Sequence, residues 1–245
     1  MKIVAYLSIL VMLVCTQQVL GKPDEDCVKE CKNNFSKGCA EKIPGCIKTC
    51  AHWTTVFVAC PGNGKSIWDA WKDNVGVSFD SSGVYLDADT CKTSHQSDPN
   101  INKWQSGSID QVRLRLWKKD SIVVEMTFNG TNTDKFNWFA PSRLLASTYQ
   151  DMMDVNANFS FFKAKGYAGT NINRRFYINK SNYKGCAADA GWMFVKDVGT
   201  SHCLYDKYKK YPYFLYATNN HSGVWQTNGD YDMADMMSIE VHFHK

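Results

Sequence analysis

Beyond its first residues the sequence has no apolar run long enough to cross a bilayer, which takes roughly 20 consecutive apolar residues as a helix. Charges or amides interrupt every later candidate, so no transmembrane segment is expected. Strong charge of one sign is missing too: 28 Lys and Arg against 24 Asp and Glu give a formal net charge of +4. The one basic run, Lys207-Tyr-Lys-Lys210, reads as a solvated loop, so the composition offers no electrostatic footprint for nucleic acid. Catalytic signatures are equally thin. There is no Gly-x-Ser-x-Gly elbow and no His-Glu-x-x-His, and none of His52, His95, His202, His221, His242 and His244 has a nucleophile signature beside it. Paired-carboxylate glycoside hydrolysis stays open, because its two acids come from distant strands.

What is present points outside the cell. Lys2, the apolar run Ile3 to Cys15 and the polar bridge Thr16-Gln17-Gln18 before Val19-Leu20-Gly21 form a secretory signal peptide over residues 1–21, cleaved after Gly21. A lipid anchor at Cys15 is disfavoured by the bulk of Val14 before it. Ten cysteines in an exported chain read as disulfides rather than metal or redox sites. Sequons at Asn34, Asn129, Asn158, Asn179 and Asn220 indicate N-glycosylation in the same compartment. The expectation is a secreted, extracellular glycoprotein.

Two modules are expected. Residues 22–52 form a cysteine-rich module with the spacing C-x3-C-x7-C-x6-C-x3-C. A separation of four puts two cysteines on one helical face, so a disulfide-bonded helical hairpin pairs Cys27 with Cys50 and Cys31 with Cys46 across a turn. An irregular knotted or epidermal-growth-factor-like module is the alternative, since spacing alone does not give connectivity. Residues 53–245 read as a mainly β, antiparallel sandwich-like domain. Strands are expected at Trp53–Cys60, Gln111–Trp117, Ser121–Phe128, Arg174–Ile178, Trp192–Asp197, Tyr213–Ala217 and Met237–His244, with short helices at Ser66–Lys72 and Pro141–Thr148. Chain order pairs Cys60 with Cys91 and Cys186 with Cys203. Cys39 is then left over, for an intermolecular bond in a disulfide-linked homodimer, an unusual intramolecular arrangement, or a free buried thiol.

Several motifs carry a functional and a bland reading side by side. Ala59-Cys-Pro-Gly-Asn-Gly64-Lys65-Ser66 loosely matches a phosphate loop, yet its first residue is Ala, Cys60 is oxidised and Pro61 removes an amide. A tight glycine turn is the simpler reading. Glu240, His242 and His244 alternate along the last strand and together could hold zinc or copper, or simply form its polar face. Asp87 and Asp89, and Asp230, Asp232 and Asp235, would suit calcium as a cofactor, although Asx turns and caps explain them as well. Trp104, Trp138 and Trp225 lie in amide-rich stretches where exposed rings could stack on sugars; core packing is the competing explanation.

Trp53-Thr-Thr-Val-Phe57, Gly62-Asn-Gly64, Ser66-Ile-Trp-Asp69-Ala-Trp71, Phe128-Asn-Gly130, Arg174-Arg-Phe-Tyr-Ile-Asn179, Gly191-Trp-Met193, Tyr213-Phe-Leu-Tyr216, Trp225 and Ala234-Asp235 together resemble an uncharacterised aromatic-rich extracellular domain. That domain belongs to secreted proteins of molluscs and other marine invertebrates, where it often follows a small cysteine-rich segment. The resemblance runs from Trp53 onward, implies a secreted animal protein and brings no established activity or catalytic residue. The expected function is extracellular binding of a glycan, matrix or cell-surface protein ligand. A venom or defence effector acting through the cysteine-rich module and a disulfide-crosslinked matrix protein are the alternatives.

Overall fold

The structure, a computed structural model, describes residues 53–78, 91–104, 109–169, 172–180, 185–197, 203–207 and 210–243. The chain divides into two units, Met1–Trp53 and Thr54–Lys245, and the described residues after Trp53 belong to the second. Cys27, Cys31, Cys39, Cys46, Cys50, Asn34, Asp87, Asp89 and His244 lie outside the described residues. In chain order the elements are β1 (Trp53–Ala59), α1 (Ile67–Asp73), β2 (Val77–Ser78), β3 (Gln96–Ser97), β4 (Ile109–Lys118), β5 (Ser121–Asn129) and β6 (Leu144–Ser147), followed by β7 (Phe161–Lys163), β8 (Tyr167–Ala168), β9 (Asn173–Asn179), β10 (Ala190–Lys196), β11 (Tyr213–Ala217), β12 (Gly223–Val224), β13 (Tyr231–Ala234) and β14 (Met236–Phe243).

The fold is mainly β, as expected, and consists of two sheets. The first runs β2-β3-β1-β14-β4-β5-β6; the second runs β13-β11-β10-β9-β7, with β12 also on β10 and β8 also on β9. Only the short β2–β3 pairing is parallel among those described. Period-two alternation aims each strand: Val112, Leu114 and Leu116 of β4 are fully buried in the core, while Arg113, Arg115 and Trp117 take the other face. The β4–β5 connection is a two-residue turn in which Lys119 and Asp120 have φ of 47° and 62°, the left-handed pair of a type I′ hairpin that matches the twist of the strands.

Buried side chains from both sheets merge into one cluster, so the sheets share a sandwich-like core. Aromatic rings dominate it. Trp71 of α1 meets Phe57, Trp104, Trp138 and Phe176 edge-on at centroid separations of 5.3, 5.9, 6.3 and 6.0 Å. Each such ring buries on the order of 150–250 Å², or about 4–6 kcal/mol at ~25 cal/mol per Å².

One expected helix is corrected. Pro141–Thr148 holds only a 3-10 turn at Pro141–Arg143 before β6, whose Leu144, Ala146 and Ser147 pair with Phe128, Thr127 and Met126 of β5. The open edge of β5 offers backbone partners that local helical spacing cannot match, and tertiary pairing overrides propensity.

A bulge in β9 decides where its charges go. Ile178 pairs with Met193 and Arg175 with Val195, so β9 uses one residue more than β10 over this stretch. The extra residue is Phe176, held at φ 40° with its ring in the core and its N–H on the Ala164 carbonyl at 2.8 Å. A bulky side chain rarely adopts that region, at a cost of roughly 1–3 kcal/mol. The extra residue shifts the alternation, so Arg174 joins Tyr177 and Asn179 on the outer face instead of following Ile178 inward.

Candidate functional site

The outer face of the second sheet is itself covered. Tyr177, Phe194, Tyr213 and Leu215 from β9, β10 and β11 pack with Tyr205, Cys203 and Trp225 from the loops above them. Cys186 and Cys203 form a disulfide, joining two of those loops; Cys60 and Cys91 are bonded beside β1.

At the centre of this second layer lies Arg174, 1% exposed. Its Nη1 donates to Asp189 Oδ2 at 2.6 Å and to the Tyr177 hydroxyl at 2.9 Å. Its Nη2 donates to Asp206 Oδ2 at 2.7 Å and to the Tyr205 hydroxyl at 3.2 Å. The rings of Phe194, Tyr177 and Tyr205 surround the guanidinium carbon at 4.6, 5.3 and 5.3 Å, a cation–π cage. Burial opposes the charge, but Tyr177, Asp206 and Asp189 outweigh it and hold the guanidinium protonated. The Tyr177 and Tyr205 hydroxyls are pushed upward in turn, chiefly by burial. Tyr205 donates to Asp189 Oδ2 at 2.7 Å, while Asn179 Nδ2 donates to Asp189 Oδ1 at 2.8 Å and Asn179 Oδ1 accepts from Trp225 Nε1 at 3.2 Å. Gly191 on β10 allows this approach, because a Cβ there would lie 2.6 Å from Asn179 Oδ1.

A second set of charges adjoins the first. Asp197 accepts from Ser66 Oγ, Ile67 N and Trp68 N at 2.9, 3.0 and 3.2 Å, which caps α1 with a buried carboxylate. Arg175 Nε lies 3.6 Å from the same carboxylate, and its guanidinium sits over the Trp68 ring. Lys196 Nζ donates to the Asp197 carbonyl at 3.2 Å and lies 4.8 Å from the Tyr211 ring centroid. The cations Arg174, Arg175 and Lys196 are thus matched by the carboxylates of Asp189, Asp197 and Asp206, all of them buried. These contacts bind loops to the sheet, and the chemistry open to the face lies in the rim above: Leu204, Lys207, Lys210 and the 226–229 tip are exposed.

The loop at Pro61–Ser66 has three of its amides committed within the protein. Gly62 N donates to the Pro212 carbonyl at 2.8 Å, Gly64 N to the Tyr211 carbonyl at 2.7 Å and Lys65 N to Asn63 Oδ1 at 3.0 Å, and Asp197 occupies the helix start where a phosphate would bind. His95 braces the same turn, with Nε2 3.0 Å from the Lys65 carbonyl and Nδ1 3.3 Å from Asn63 Nδ2. A neutral ring protonated on Nε2 satisfies both partners. Burial lowers its pKa, against the opposing pull of the Lys65 carbonyl and Asp197.

The residues singled out for ligands and metals fall elsewhere. Trp104, Trp138 and Trp225 are buried at 3%, 0% and 0% exposure, which leaves no face for a sugar. Trp104 Nε1 is spent on Thr133 Oγ1 at 3.0 Å. The three aspartates of the second calcium candidate serve different partners: Asp230 accepts from Val224 N, Asp232 pairs with Lys118 and accepts from Tyr216, and Asp235 accepts from Lys119 N. Among the described residues no group of three or more His, Cys, Asp or Glu is placed to hold a metal. Glu240 is buried against Arg113 and Ser238, and His242 Nδ1 lies 2.6 Å from Asp110. Asn129, Asn158 and Asn220 are exposed, whereas Asn179 is 1% exposed with its Nδ2, the atom a glycan would need, on Asp189. Arg174, Asp189 and Asp206 were not candidates from sequence, yet Arg174-Arg175 inside an aromatic strand is a signal: charges in a strand that is otherwise apolar need buried partners.

The chain matches no family model, no curated protein and no solved structure. No helix among the described residues is long and apolar enough to cross a membrane.

Proposed function

We propose that this chain is a secreted extracellular binding protein that recognises a glycan, matrix or cell-surface ligand through the loop rim above the second sheet. The observation that carries the reading is the fastening of that rim. Loops distant in sequence are held on one sheet face by the Arg174 cage and the Cys186–Cys203 disulfide, so exposed residues sit on a rigid support. A preorganised rim loses little entropy on binding, and rigid scaffolds that present loops are the usual place for recognition. The two described disulfides fit an oxidising compartment, and the exposed Asn129, Asn158 and Asn220 are open to glycosylation there.

The resemblance to the aromatic-rich marine invertebrate domain agrees with this reading and adds no chemistry. The test is a glycan array and a panel of immobilised matrix components probed with the secreted protein and with a variant carrying Gln226→Ala, Thr227→Ala and Asn228→Ala at the exposed tip. Saturable binding weakened in the variant supports the proposal. Saturable binding by neither protein to any surface overturns it, as does binding that the variant retains in full together with binding by charge-reversed rim lysines.

A further inference from the structure

Tyr211 ties three stretches of chain together. Its carbonyl accepts Gly64 N–H at 2.7 Å, its hydroxyl donates to the Asp206 carbonyl at 3.2 Å, and its ring stacks on Tyr213 at 5.6 Å. The neighbouring Pro212 carbonyl holds Gly62 as well. Each stretch carries an exposed lysine one residue from a tie point: Lys65 after Gly64, Lys207 after Asp206 and Lys210 before Tyr211. None of these three ammonium groups makes an ion pair or hydrogen bond among the described residues. The closest exposed carboxylate in sequence to Lys65, Asp69, stands beside Lys72 on α1 at 3.8 Å.

The ground beneath them is electrically neutral. Arg174, Arg175 and Lys196 are balanced by Asp189, Asp197 and Asp206, so the buried network adds no net charge to that of the lysines. Three unpaired cations on segments held in fixed relation, one of them braced further by His95 on the Lys65 carbonyl, form a surface suited to a repeating anion. Lysine ammonium groups act as point charges without the planar fork of arginine, which fits spaced sulfates along a flexible polymer.

We infer that the partner at this corner is a linear sulfated polysaccharide, held by Lys65, Lys207 and Lys210. The inference rests on the extracellular binding role proposed above and names the ligand class of the same rim. Binding would be salt-dependent. With three contacts and a slope of about 0.7 per contact, as for a flexible single-stranded polyanion, affinity falls roughly 20-fold between 50 and 200 mM salt.

The experiment measures binding of the full secreted protein to dextran sulfate, unsulfated dextran and single-stranded DNA at both salt concentrations, beside a K65E/K207E/K210E variant. Because these side chains are exposed and unpartnered, the variant should keep the parent's melting temperature. The expected result is dextran sulfate binding with the stated salt loss, no dextran binding, weaker DNA binding and at least a 50-fold loss in the variant. Full binding by the variant, or DNA binding as tight as dextran sulfate, overturns the inference. No dextran sulfate binding, with saturable array binding to an uncharged glycan, overturns it while leaving the broader binding role intact.

Discussion

Replacing Arg174 with methionine removes the cation but keeps much of the side chain's length, and leaves Asp189 and Asp206, both 0% exposed, without their shared counter-charge. Breaking a buried ion pair by deleting one partner costs about 3–5 kcal/mol. Here one deletion breaks two pairs, at 2.6 and 2.7 Å, and empties a cage of three rings. The loss should therefore reach about 5 kcal/mol, comparable to the whole stability of many domains. At about 2–4 °C per kcal/mol for a domain of this size, the melting temperature should fall by about 10–20 °C. Thermal unfolding of the oxidised protein, followed by circular dichroism, measures it. A companion variant with Arg174→Met, Asp189→Asn and Asp206→Asn removes the orphaned charges and should recover at least half of the loss, since a neutral replacement of a buried ion cluster can be nearly neutral in stability. If Arg174→Met alone melts within about 2 °C of the parent, a shift worth under about 1 kcal/mol, the cage is not what fastens the loops.

The α1 cap should be similarly demanding: Asp197→Ala strands three donors and uncouples Arg175, for a loss of about 3–5 kcal/mol in urea unfolding, whereas Asp197→Asn should cost about half as much. His95 predicts an acid-sensitive stability. Its folded pKa lies below the unfolded value of about 6.5, so below that pH the unfolded chain binds the extra proton and stability drops, by up to ~1.4 kcal/mol per pH unit until the folded pKa is reached. Urea midpoints at pH 7.5 and 5.5 should separate for the parent and draw together in His95→Gln; an equal separation in both would assign the effect to other groups. Peptide mapping after glycosidase treatment should find glycans at Asn129, Asn158 and Asn220 and none at Asn179, whose amide is committed to Asp189; a fully occupied Asn179 would contradict the buried network.

Elements whose identity depends on nearby residues were readable in the sequence. The alternation of Val112, Leu114 and Leu116 against Arg113 and Arg115 marks a strand with one apolar face, and the shared face of Ile67, Ala70 and Trp71 marks a short helix, because both patterns repeat within a turn or two of backbone. The sandwich-like class follows from the number of such strands. Two-residue strands such as β2, β3 and β12 are too short to show any period, and β6 looked helical because its partner on β5 lies outside its own local sequence. Composition likewise called the aromatics abundant without saying which face each would take; only packing between the sheets buried Trp138 completely.

By itself, then, the sequence determined a mainly β domain with antiparallel sheets and an aromatic core, since those follow from local period and bulk apolar content. The tertiary structure alone decided where the charges stand. Arg174 reaches its cage because a bulge at Phe176 reverses strand parity. Asp189 and Asp206 arrive from separate loops, and Asp197 caps a helix that begins 130 residues earlier. A buried charge is stable only beside its counter-charge, and which groups become neighbours is set by the folded path of the whole chain.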